Sequence, residues 1–233
     1  MKIKKGLILA AGLGTRMKPL TNKTPKPLIN IGKKNLLERG INLLINHGVE
    51  EIVINVHHLG DQIKKFILNQ NYKIKVYISD EKKKLLDTGG GVLNGIKYFD
   101  NDAFIVLNPD TLWSKNYNTE LKSLEDSYLK HNKPCILVVE KKLSFDQSFV
   151  GDFNIDSNGF VDRQSKNEFI FTGLQILDPS VFNFVKKKVF SMNIVWDNLI
   201  DSNNLIGVKS KQIFYHLNTE TMYNKINNLN IID

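Results

Sequence analysis

Short apolar runs alternate with stretches of helical period through the first 142 residues. Residues 7–11, 52–56, 103–107 and 135–140 are runs of strand length, and residues 73–79 alternate apolar with polar, so five strands are predicted. Between the first two, Leu36, Leu37, Ile41, Leu43, Leu44 and His47 fall near helical spacing, and Gly48 supplies a stop. Further helices are predicted over 60–69, 90–98 and 119–131. Strands that alternate with helices make a mostly parallel sheet with helices on its faces. After Lys142 the segments shorten and turn residues multiply. Asp156-Ser157-Asn158-Gly159, set between two apolar triplets or pairs, predicts a hairpin beside the main sheet. Helices over 179–188 and around 196–201, a strand over 212–217 and a terminal helix from Thr219 complete the expectation. No internal repeat and no low-complexity linker divides the 233 residues. The chain therefore reads as one α/β domain with two merged halves, 1–142 and 143–233.

Charge narrows the class of ligand. The formal net charge of +8 suits acidic small molecules, and no basic stripe interleaved with aromatic residues marks a nucleic-acid face. Lys, Asn and Ile are used heavily throughout, so the basic excess is spread along the chain. The one cysteine, Cys135, lies in an apolar run and has no partner for an intrachain disulfide; it reads as a buried small hydrophobe in a reducing cytoplasm. Lys2, Lys4 and Lys5 before residues 6–14 imitate a short signal peptide, but Arg16 and Lys18 follow at once, and no run is long enough to span a bilayer. A cytoplasmic protein is expected, monomeric or homodimeric, with no membrane partner.

The chemistry concentrates where the first strand ends. Leu9-Ala10-Ala11-Gly12-Leu13-Gly14-Thr15-Arg16 turns an apolar run into two glycines and an Arg, and Lys26 follows in Pro25-Lys26-Pro27. Glycines let main-chain N–H groups approach an anion, and with two cations nearby they suit a polyphosphate. Two familiar phosphate loops are excluded: no Gly-Lys-Ser/Thr follows Gly12 at Walker spacing, and Met17 stands where a dinucleotide fingerprint needs its third glycine. The fourth strand runs into Asn108-Pro109-Asp110, which delivers Asp110 to the same carboxyl edge of the sheet. A carboxylate beside a triphosphate is the usual protein contribution to bound Mg²⁺.

The run G-x-G-T-R-x-x-P-L-T with P-K-P behind it resembles the signature of the sugar-1-phosphate nucleotidyltransferases, and the resemblance extends over nearly the whole chain. It is strongest to the small N-acetylmuramate-1-phosphate uridylyltransferases and mannose-1-phosphate guanylyltransferases. It implies a Rossmann-like, mixed and mostly parallel sheet flanked by helices, merged with a small β-rich sugar-binding half. It implies a reaction in which a sugar 1-phosphate oxygen attacks the α-phosphate of a nucleoside triphosphate and expels pyrophosphate, with UTP and N-acetylmuramate 1-phosphate as the leading pair and peptidoglycan recycling as the setting. Arg16, Lys26 and Asp110 are the implied catalytic residues. Leu9, Ala10, Ala11, Gly12, Gly14, Thr15 and Arg16 would bind the nucleotide. So would Thr88, Gly89 and Gly90, whose run Asp87-Thr88-Gly89-Gly90-Gly91 resembles a glycine-rich base-binding turn. Asn108, Asp152, Arg163, Thr172 and Gly173 fall on segments that hold the sugar phosphate in the family.

Asp110 matches a metal ligand for Mg²⁺, and His216 stands where the family has a second metal-binding aspartate. Imidazole is a poor partner for Mg²⁺ and a better one for Mn²⁺, so Mn²⁺ is a second expectation. His216 has three open roles: a ligand to a softer metal, a cation on phosphate, or an indirect support. His57 and His58 lack partners at metal-ligand spacing and read as structural. Guanylyl transfer to mannose 1-phosphate, cytidylyl transfer to phosphocholine and a non-catalytic nucleotide sensor stand as alternatives.

Overall fold

The computed structural model describes residues 2–164 and 166–229. In chain order the elements are β1 (Lys5–Leu9), β2 (Asn30–Ile31), β3 (Lys34–Asn35), α1 (Leu36–His47), β4 (Glu51–Val56), α2 (Gly60–Asn69), β5 (Lys75–Asp80), α3 (Asp87–Gly95) and β6 (Phe104–Leu107). They continue with α4 (Tyr117–His131), β7 (Cys135–Glu140), β8 (Asn154–Ile155), β9 (Val161–Asp162), β10 (Phe169–Leu177), α5 (Asn193–Asp201), β11 (Ile206–Ser210) and α6 (Glu220–Asn227). Seven strands form one sheet in the order β11-β7-β10-β6-β1-β4-β5. All pairings are parallel except the two made by β10, which runs antiparallel between β6 and β7.

Alternate residues of the central strands feed two cores. Ile8, Ile54, Ile105 and Leu137 point to one face and pack with Leu37, Ile41, Leu44, Ile63, Leu121 and Leu124 of α1, α2 and α4. Leu7, Val53, Val106 and Ile136 point to the other and pack with Val92, Val195 and Leu199 of α3 and α5. That is why the strands read as continuous apolar runs: a strand covered on both faces has no solvent side to keep polar. α1 is bounded as its sequence predicts. Asn35 accepts the N–H of Glu38 as an N-cap, and Gly48 ends the helix in the left-handed region at φ 103°.

The later half departs from the pattern-based expectation. β10 and β11 belong to the main sheet although neither was predicted as a strand. Residues 212–217 form no strand there and make only isolated bridges, at Phe214 and His216. The expected helix over 179–188 is one 3₁₀ turn, Pro179–Phe182. Gly173 explains the first miss: it interrupts the apolar run at φ 93°, where the β10–β7 register shifts between Phe171 and Gln175. The predicted hairpin is present as β8 and β9, with Asn154 opposite Asp162, and bridges to Phe169 and Ile206 attach it to the sheet.

Candidate active site

Because β1, β4, β5 and β6 are parallel, their carboxyl ends share one edge, and the loops that leave them wall a cleft of ≈ 410 Å³. The end of β1 and the loop after it supply Leu9, Ala11, Gly12, Gly14, Thr15 and Arg16 to that wall. Gly14 sits in the left-handed region (φ 64°) at the head of a 3₁₀ turn, Thr15–Met17. A Cβ there would stand 2.8 Å from Thr21 Cγ2, and the Thr21 hydroxyl donates to the Gly14 carbonyl at 2.8 Å. Gly12 is different, since nothing lies within 4 Å of the Cβ it lacks. Arg16 is exposed and makes no hydrogen bond or ion pair among the described residues. Its guanidinium is available to a ligand.

Lys26 is held by its neighbours. Pro25 and Pro27 restrict the backbone, and the turn Lys26–Leu28 closes with the Leu28 N–H on the Pro25 carbonyl at 2.8 Å. The Lys26 Nζ reaches Asp110 Oδ2 at 2.6 Å, with both side chains largely buried. His216 Nε2 lies 3.1 Å from the same oxygen. It arrives there because residues 214–217 run antiparallel beside 110–112: Leu112 N–H donates to the Tyr215 carbonyl (2.9 Å) and Leu217 N–H to the Asp110 carbonyl (2.8 Å). The ring then stacks on Phe214 at 5.7 Å. Burial by itself would push the Asp110 carboxyl up, but the charges and hydrogen bonds of Lys26 and His216 hold it well below the usual carboxylate range.

This donor set fits a divalent cation only in part. Asp110 Oδ2 is engaged by two donors, while Oδ1 has no protein partner among the described residues. No group of three or more His, Cys, Asp or Glu among the described residues is placed to hold a metal. One carboxylate oxygen completed by phosphate oxygens and water matches what Mg²⁺ accepts. His216 meets the carboxylate itself with Nε2, and its Nδ1 is buried without a partner.

The cleft is also lined by Leu85 and, from the first turn of α3, Asp87 and Thr88. Gly89 and Gly90, expected at the nucleotide, are not among the residues that line the cleft. A Cβ at Gly89 would lie 2.4 Å from the Phe190 ring and one at Gly90 2.4 Å from the Lys188 carbonyl oxygen, so both glycines let α3 press on residues 188–190. The Thr88 hydroxyl accepts the Met192 N–H at 2.9 Å. Ala10 lies behind the first wall, its N–H donating to Asn55 Oδ1 at 2.6 Å.

Of the expected sugar-phosphate residues, only Asn108 lines the cleft. Gly173 presses on it from below, since a Cβ there would meet Asn108 Cβ at 2.9 Å. The Thr172 hydroxyl donates to the Leu137 carbonyl at 2.9 Å inside the core, and Thr172 is 1% exposed. Asp152 accepts the Phe171 N–H at 2.9 Å. Arg163 pairs with Asp197, donates to Asn193 Oδ1 at 2.6 Å and lies over the Phe153 ring at 4.7 Å. Packing and existing partners thus account for four of these five positions. Two asparagines of the cleft were missed. Asn218 donates to Asp146 at 3.1 Å and keeps a buried, unpartnered Oδ1. Asn55 carried a signal, as a polar residue inside an apolar strand.

An α/β sheet with a cation-lined, glycine-walled cleft at its carboxyl edge defines a nucleotide-handling enzyme. The family model described as Nucleotidyl transferase matches residues 5–218. The chain is 28% identical over 182 residues to an N-acetylmuramate alpha-1-phosphate uridylyltransferase of Caulobacter vibrioides, covering 75% of each chain. It is 31% identical over 182 residues to a D-glycero-alpha-D-manno-heptose 1-phosphate guanylyltransferase of Campylobacter jejuni, covering 76% of this chain and 77% of the relative. Its fold matches the crystal structure of HddC from Yersinia pseudotuberculosis complexed with GMP-PN, with a TM-score of 0.76 and 25% identity over 97% of this chain and 99% of that one. The chain belongs to the nucleotidyl transferase family, and it is an enzyme of the sugar-1-phosphate nucleotidyltransferase class.

Proposed function

We propose that the protein transfers uridylyl from UTP to N-acetylmuramate 1-phosphate in the cytoplasm, forming the nucleotide sugar and releasing pyrophosphate. The observation that carries the reading is the Lys26–Asp110 pair at 2.6 Å, which lines the same cleft as Arg16 and the glycine loop. Oxygen of the sugar 1-phosphate, already anionic near neutral pH, attacks the α-phosphorus as the bond to the pyrophosphate oxygen breaks. No side chain has to remove a proton. The protein's work is to align two anions and offset the charge that builds on phosphate oxygens. Arg16 brings an unpaired cation and the loop after β1 brings main-chain donors. Lys26, paired with Asp110, sits where it can turn to a phosphate. Asp110 is the residue that would hold Mg²⁺, which when bound would supply further positive charge beside the phosphates. The contact between His216 and Asp110 favours the supporting role for His216, orienting the carboxylate through Oδ2.

The uridylyl relatives of Caulobacter vibrioides and Neisseria meningitidis support the choice of pair, at 28% and 31% identity. The guanylyl relative of Campylobacter jejuni, at 31%, keeps GTP with a heptose or mannose 1-phosphate as the second reading. Pyrophosphate release from UTP, GTP, CTP, ATP and dTTP against a panel of sugar 1-phosphates and phosphocholine, with Mg²⁺ and Mn²⁺ compared, tests both. Release with UTP and N-acetylmuramate 1-phosphate is the expected result. Release only with GTP overturns the pair and keeps the class. A clear Mn²⁺ preference would move His216 from support to ligand.

A further inference from the structure

We propose that Asn55 and Glu81 are a buried positioning pair that sets the spacing between the two walls of the cleft; the inference rests on the nucleotide reading of that cleft. The two side chains are 2% and 3% exposed. Asn55 Oδ1 accepts the Ala10 N–H at 2.6 Å, and its Nδ2 donates to Glu81 Oε1 at 2.7 Å. Glu81 Oε2 then accepts the Leu86 N–H at 2.9 Å. One continuous chain of hydrogen bonds therefore runs from the loop after β1 to the loop before α3. Ala10 stands two residues before Gly12, and Leu86 two before Thr88.

Sheet register puts the pair in place. Asn55 is opposite Leu9 in the β1–β4 ladder, and Glu81 follows Asp80, the last residue of β5, which is opposite Val56. Gly91 makes room for it: a Cβ there would stand 2.7 Å from Asn55 Nδ2 and 3.1 Å from Glu81 Oε1. The third glycine of the run 89–91 is thereby explained by clearance for a hydrogen-bonded pair. Every donor in the chain meets an acceptor, and in a buried site a mismatch leaves a polar group without its partner. A carboxylate held by two donors also fixes two loops more stiffly than neutral pairs would.

The pairing can be reversed without changing its shape. Glu81→Gln alone sets a donor against a donor, at Asn55 or at Leu86. Asn55→Asp alone sets carboxylate against carboxylate. The double variant Asn55→Asp/Glu81→Gln satisfies every group again, since the new carboxylate accepts from Ala10 and from the new amide, whose oxygen accepts from Leu86. Amide hydrogen exchange at Ala10 and Leu86 in the full, unliganded chain, together with KM and kcat for the nucleoside triphosphate, reads the effect. Each single variant should speed exchange at one or both amides by about tenfold and raise KM by about tenfold with kcat within about threefold, and the double should return both to within about threefold of the parent. A double no better than the worse single, or singles indistinguishable from the parent, overturns the pair. Where a single does not fold, a double that folds with parental exchange supports the proposal and one that does not fold overturns it. Exchange needs no ligand: amides that follow the pairing in a protein that turns over no nucleoside triphosphate keep the pair and remove the nucleotide reading, while turnover with unresponsive amides does the reverse.

Discussion

Arg16 and Lys26 are both cations of the same cleft, yet the structure gives them different circumstances. Arg16 is exposed and unpaired, so Arg16→Ala should leave the melting temperature unchanged while lowering kcat by about 10²- to 10³-fold, the usual cost of one charge-stabilising donor. Lys26→Ala should cost as much turnover and some stability as well, because it removes the ammonium that lies 2.6 Å from the largely buried Asp110 carboxylate. Steady-state pyrophosphate release and calorimetry on the two variants check this contrast; equal melting losses would contradict it. Cys135 makes a second prediction. Burial pushes its thiol up to about 12, and the Tyr72 phenol likewise to about 12, so the folded chain favours their protonated forms. That stability is complete below the ordinary pKa of each group and is lost as pH rises toward 12. For Cys135 each pH unit in that window costs about 1.4 kcal/mol. The urea midpoint should fall between about pH 8 and about pH 10.5, and Cys135→Ala should flatten the first part of the fall. The sequence reveals Arg16, Lys26 and Asp110 as candidates because their motifs are local. It does not reveal that Lys26 and His216 meet on one oxygen of Asp110, since that needs segments from three parts of the chain.

At the scale of elements, the loop after β1 combines a glycine that packing requires with one it does not. Gly14→Ala forces a left-handed backbone and a 2.8 Å approach to Thr21, and should destabilise the fold by about 1–3 kcal/mol. Gly12→Ala meets no protein atom within 4 Å, so its melting temperature should stay put while nucleotide affinity falls, because the added methyl enters space left to the ligand. Melting curves with and without the nucleoside triphosphate separate the two. Strand pattern was readable wherever both faces are buried, as in β1, β4, β6 and β7. It failed at β10, where Gly173 interrupts the run, and at β11, whose Ile206-Gly207-Val208-Lys209-Ser210 is short and mixed. The segment 212–217 misled for the converse reason: its alternation serves Thr111, Ser144 and Asp110 through isolated bridges rather than a ladder.

For the whole molecule, β10 is the decisive element, since it joins β6 of the first half to β7 and pairs antiparallel with both. The hairpin of β8 and β9 bridges to Phe169 at the start of β10, so the two halves share one sheet. We therefore expect the chain to unfold as one domain. Trp113 reports on the core beside α4 and Trp196 on the face beside Phe153 and Phe171, so single-tryptophan variants should show coincident urea transitions. Two separated midpoints would divide the chain into domains. The sequence by itself determined the class of fold, the sheet edge where the cleft opens and the glycine loop with its cations, because these rest on local periodicity, on where strands end and on residues close together in the chain. Tertiary structure decided the rest. That Gly89, Gly90 and Gly91 serve packing, that Thr172 and Arg163 are already engaged, and that Asp110, Lys26 and His216 form one cluster are matters of which distant surfaces press together, and no local pattern encodes a contact between them.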